Sequence, residues 1–158
     1  MNEIIKKQDQ ELQNVIYKVP ALITLFVASQ ATEGHLVPTK ERTAKVYLSI
    51  LSNQADEALQ DFFQEVKKTF DKDIETLNEE LPKEAKKRKE KIEQLLQPVV
   101  IFLSQLPRPL GVVFKDALLG FVSHARDFRQ DFLESVLLPF ISDDLRKIEN
   151  DRLRRILD

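Results

Sequence analysis

The sequence predicts an all-α protein, an antiparallel bundle of five to seven helices with proline-marked kinks and turns, and three observations carry that prediction. Composition comes first: the 158 residues include only 3 glycines, while Leu, Lys, Glu, Gln and Ala, which cost least in a helix interior, recur throughout. Spacing comes second, because apolar residues return at intervals of three and four over several long stretches, which puts them on one helix face. Punctuation comes third. Pro82, Pro107, Pro109 and Pro139 fall where the stripes end, and proline lacks the N–H and the room needed to continue a helix. The β-branched run Val99-Val100-Ile101 is short and embedded in helical spacing, so no strand is expected.

Taken in order, residues 4–27 carry the stripe Ile5, Leu12, Val15, Ile16, Val19, Leu22, Ile23, Phe26 and Val27. Pro20 interrupts it, either as a kink or as the first turn of a second helix, and a break or sharp kink is favoured. Gly34 and Pro38 mark a connection, with Thr39 the expected N-cap of the next helix. Residues 46–81 hold Val46, Tyr47, Ile50, Leu51, Ala55, Ala58, Leu59, Phe62, Phe63, Val66, Phe70, Ile74, Leu77 and Leu81 at near-helical spacing, as one helix or as two divided near Ser52-Asn53.

After Pro82 comes the most polar stretch, then Ile92, Leu95, Leu96, Val99, Val100, Leu103 and Leu106 on one face, with Pro98 expected to bend the helix. Leu106-Pro107-Arg108-Pro109 must be a turn, since each proline pushes its predecessor out of helical geometry. Residues 110–138 form a narrow stripe of Leu110, Phe114, Leu118, Phe121, Ala125, Phe128, Phe132 and Val136. Ser142 then reads as an N-cap followed by Asp143 and Asp144, where acids complement the helix dipole, opening a last amphipathic helix. Short connections force consecutive helices side by side, and no linker divides residues 1–158, so one helical-bundle domain is expected.

A formal net charge of −2 gives no strong field for phosphates, so specific nucleic-acid binding is not expected. With 0 cysteines there is no disulfide framework, thiolate zinc site or cysteine nucleophile. The first residues lack secretory-signal features, and the apolar runs at 19–28 and 99–103 fall short of the roughly 20 residues a bilayer requires, so no transmembrane segment is expected. The composition is compatible with the cytoplasm and does not exclude a secreted mature chain.

Only His35 and His124 could serve as neutral-pH acid, base or metal ligand, and they are far apart in sequence. His124 shares a helix edge with Asp131, an arrangement that is ordinarily structural. A di-iron bundle site needs Glu three residues before each histidine, but Thr32 and Phe121 stand there. Asp71-Lys72-Asp73-Ile74-Glu75 alternates carboxylates like a calcium loop, yet it lacks the turn glycine and reads as a solvated helix face. No nucleophile elbow or phosphate-binding glycine loop occurs. The expectation is therefore no enzyme, no metal and no cofactor.

Two features remain as candidate binding elements. Phe114, Phe121, Phe128 and Phe132 share one helix face, either as core or as the lining for a partner helix or apolar ligand. Lys83, Lys86, Lys87, Arg88, Lys89 and Lys91 form a basic cluster that follows acidic Asp71, Asp73, Glu75, Glu79 and Glu80, and it reads as a charged surface. The expected function is a non-enzymatic interaction module that binds a protein partner, or a second copy of itself, through a helix face or groove. The alternative is a carrier of a lipid or other small apolar ligand.

Overall fold

The computed structural model describes residues 1–29 and 37–123, which form six helices and no strand. They are α1 (Asn2–Lys6), α2 (Gln10–Ser29), α3 (Val37–Gln54), α4 (Glu57–Glu80), α5 (Ala85–Gln105) and α6 (Arg108–Ser123). The all-α bundle read from composition and spacing is present. The expected helix end at Pro139 and the helix opening at Ser142 lie outside the described residues, as do His35, His124, Asp131, Phe128 and Phe132.

Helix α2 is the axis of the bundle, packed against α3, α4, α5 and α6. Every residue from Val19 to Ala28 is buried, so this half of the helix has no solvent face at all. A helix apolar all round must be enclosed, and four neighbours enclose it. By length and composition alone α2 could cross a bilayer, beyond what its short apolar run suggested; in this bundle those residues are the core.

The helix runs unbroken through Pro20, contrary to the expected break. An interior proline costs about 3 kcal/mol. Burying an aliphatic or aromatic side chain returns roughly 1.5–3 kcal/mol, and Val19, Leu22, Ile23, Leu25 and Phe26 are all sealed around Pro20. Packing therefore outweighs the local penalty. The Thr24 hydroxyl donates to the Pro20 carbonyl at 2.8 Å, so the one polar side chain in this segment is satisfied by its own helix. Pro98 likewise lies inside α5 without ending it, and there the ring is exposed.

Other boundaries moved for identifiable reasons. The first stripe is divided into α1 and α2, and the Asp9 carboxylate accepts from the Leu12 amide at 2.8 Å as a cap at the start of α2. Gln13 Nε2 braces the turn by donating to the carbonyls of Gln8 at 2.7 Å and Lys6 at 3.3 Å. Helix α3 begins at Val37, so Thr39 stands within it rather than before it. The long stripe is two helices, divided at Ala55-Asp56 instead of Ser52-Asn53. Asp56 accepts from the Ala58 amide at 3.1 Å to cap α4. Leu81 and Pro82 close α4, and Leu106-Pro107 separates α5 from α6 where the prolines indicated.

Helices α3 and α4 pair antiparallel. Lys45 of α3 reaches Asp71 of α4 at 3.1 Å, and Gln64 of α4 donates to the Ser52 carbonyl of α3 at 3.2 Å. Aromatic rings then tie four helices together. Tyr17 of α2 stacks on Phe62 of α4 with centroids 5.4 Å apart, and Phe62 meets Phe114 of α6 edge to face at 4.9 Å. Phe121 of α6 takes the edge of Tyr47 of α3 at 4.7 Å.

Candidate partner-binding face

Where the sequence pattern placed Phe114 and Phe121 on a candidate lining, both rings are packed in the core. They are 0% and 4% exposed, and their faces are covered by Phe62, Phe63 and Tyr47. The two described members of the stripe are thus occupied by one another's neighbours.

The Tyr47–α6 contact is unusually close. The Tyr47 hydroxyl donates to the Ala117 carbonyl at 2.9 Å, and the ring lies over Gly120 so tightly that a methyl at that position would overlap the phenol. Glycine is required there by proximity, since the helix itself would prefer alanine. Burial, reinforced by the Asp116 carboxylate, pushes the Tyr47 phenol up to about 12.

The basic cluster does not act as one patch. Lys83, Lys86, Lys87 and Lys91 are exposed, Lys89 is half-buried, and Lys87 lies 3.5 Å from Glu84. Arg88 turns back toward α4. Its Nη2 donates to the Asn78 side-chain oxygen at 2.5 Å and to the Asn78 carbonyl at 3.2 Å, latching α5 across the turn to the end of α4. Burial lowers the pKa of this guanidinium from its ordinary value.

Large apolar side chains are left in solvent at Val46 (60% exposed), Ile50 (43%) and Ile101 (56%). Ile101 lies on α5 one turn from the exposed Pro98 ring. Val46 and Ile50 are one turn apart on α3 and make a ridge beside a shallow depression of about 400 Å³ lined by Glu41, Arg42, Lys45, Val46 and Ser49. The sequence stripe assigns both residues to the core face, and the structure corrects this. At about 100° per residue they lie roughly 200° and 240° round the helix from Ala44, and Ala44, Leu48 and Leu51 are the apolar side chains of α3 that are buried. Four apolar residues at 46, 47, 50 and 51 spread over more of the circumference than one face can bury; only the helical-wheel angle separates the inward pair from the outward pair.

Charge frames the ridge. Lys45 is held by Asp71, while burial and the same Asp71 carboxylate push the Glu41 carboxyl above its ordinary value. Arg42 is exposed at one end, and Asp56 and Glu57 are exposed at the other, where α3 turns into α4. A second cleft, of about 290 Å³ between α2 and α4, is lined by Asn14, Tyr17, Lys18, Glu65, Thr69 and Asp73. Its hydroxyls are already engaged: Tyr17 donates to Asn2 at 2.8 Å and Thr69 to Asp73 at 3.0 Å. Among the described residues no group of three or more His, Cys, Asp and Glu is placed to hold a metal ion.

No protein-family model, curated protein or solved structure matches this chain.

Proposed function

We propose that this chain is a non-enzymatic helical interaction module that binds a protein partner through the outward face of α3. The observation that supports the reading is the Val46–Ile50 ridge, two branched apolar side chains left in water beside a charged groove, where the other apolar stripes among the described residues turn inward. Covering both would contribute roughly 2–3 kcal/mol, less than the cost of association, estimated at about 4–15 kcal/mol or more. The partner must therefore also answer the exposed Arg42, which favours an amphipathic helix that brings a carboxylate to that end of the ridge.

The test compares crosslinked or co-purified partners of the wild type with those of the Val46→Asp/Ile50→Asp variant, with circular dichroism to verify folding. Loss of the partner from a folded variant is expected; a partner retained at equal yield places the binding site elsewhere. The alternative, a carrier of an apolar ligand, draws less support, because Phe114 and Phe121 are filled by ring contacts. Native mass spectrometry with fatty acid in excess is expected to record only the unliganded mass, and a stoichiometric adduct would reverse the order of the two readings.

A further inference from the structure

Resting on the α3 reading above, we infer that the partner seated on this ridge is a second copy of the same chain, related by a twofold axis that passes between the two α3 helices at the level of Leu48. The pattern on α3 is self-complementary. An antiparallel pairing centred on Leu48 sets Val46 of one copy against Ile50 of the other, and by symmetry repeats the contact, so four exposed apolar side chains cover one another. The same pairing lays the Arg42 end of one helix over Gln54 of the other. Gln54 is the last residue of α3, and the turn that follows it into α4 carries Asp56 and Glu57.

Charge then selects this register. Arg42 is exposed at the N-terminal end of the ridge, and Asp56 and Glu57 are exposed where it ends, so a twofold brings the basic end onto the acidic end twice. A parallel pairing would set Arg42 against Arg42 and Glu57 against Glu57. The groove beside Val46 gives each Ile50 of the facing copy a place to enter, flanked by Lys45 and Ser49. Because the ridge is narrow, the association is weak and depends on concentration.

Sedimentation equilibrium of the full chain tests this. The wild type is expected to shift from monomer to dimer as concentration rises, and Val46→Glu/Ile50→Glu to weaken dimerisation by at least about tenfold with an unchanged circular-dichroism spectrum. Arg42→Glu and Glu57→Arg should each weaken it about threefold or more, and their combination should restore it. The chain has no cysteine, so Ser49→Cys, next to the axis, should oxidise to a covalent dimer while Lys72→Cys on α4 should not. A wild type that stays monomeric, a dimer indifferent to the ridge variants, or a charge swap without rescue overturns the inference. Loss of a different protein from the Val46→Asp/Ile50→Asp variant, with the wild type monomeric, would overturn the second copy while leaving the α3 face in place. A dimer that persists in the ridge variants, with partner capture also unaffected, would remove both.

Discussion

Helix α2 buries every residue from Val19 to Ala28, whereas α3 buries Ala44, Leu48 and Leu51 and leaves Val46 and Ile50 in solvent. Both are long helices and both are rich in branched apolar residues. The difference lies in how many neighbours surround each. Helix α2 touches four other long helices, so every direction round its axis ends in protein; α3 is backed by α2, α4 and α6 and has an outward side. The same residue type therefore means core in one helix and surface in the other, and only the surface residues are available to a partner.

The contrast predicts how substitutions should rank. Phe62→Ala is expected to destabilise the bundle most, since the ring is fully buried and meets Tyr17, Phe63 and Phe114. Removing such a ring costs roughly 3–5 kcal/mol, which urea unfolding would record as a lower midpoint with little change in slope. A loss under about 1 kcal/mol, the size of an ordinary point mutation, would mean that the ring junction between α2, α4 and α6 is looser than its geometry implies.

The next effect probes where α3 meets the core. Gly120→Ala gains about 1 kcal/mol of helix propensity, but the added methyl would overlap the Tyr47 ring. Moving that ring breaks its bond to the Ala117 carbonyl and its contact with Phe121. Overpacking of this kind costs roughly 1–3 kcal/mol, so net destabilisation is expected. In a Tyr47→Ala background the sign should reverse, and thermal melts of the four proteins in that cycle would show the coupling.

This contact also explains why part of the molecule was legible from sequence and part was not. Stripes, caps and prolines reveal that a helix has an apolar side, which was enough for the bundle and for the α5–α6 turn. They do not reveal what the side packs against. Nothing in the pattern near Pro20 showed that four helices would hold that proline in an intact helix. Val46 and Ile50 looked like core because their spacing was helical, and the candidate Phe stripe looked available because its covering rings, Phe62, Phe63 and Tyr47, come from other segments of the chain. Arg88 looked like its lysine neighbours until its bonds to Asn78 were placed.

Tyr47 supplies a pH test of the same junction. Its phenol is raised from 10.0 to about 12, first by burial and then by Asp116, so the folded state resists its ionisation. A folded pKa above the unfolded one means that the contribution is complete below about pH 10 and is lost as pH rises from there toward 12. Stability should fall through that window, and Tyr47→Phe should flatten the fall while costing about 1 kcal/mol at neutral pH for the lost hydrogen bond. Equal alkaline slopes in the two proteins would remove Tyr47 as the cause.

The smallest expected effect on stability is at the ridge. Val46→Ser/Ile50→Ser changes two side chains that already face water, so the free energy of unfolding should move by no more than about 0.5 kcal/mol, or about 1–2 °C in Tm for a domain of this size. The value of the measurement lies in its near-zero outcome, because a protein that keeps its stability while losing association separates binding from folding at those two positions. A drop of several degrees at low protein concentration, where no dimer forms, would show that the ridge is already covered within the monomer. It would then belong with α2 as core, and the contrast on which both the partner-binding face and the twofold pairing depend would disappear.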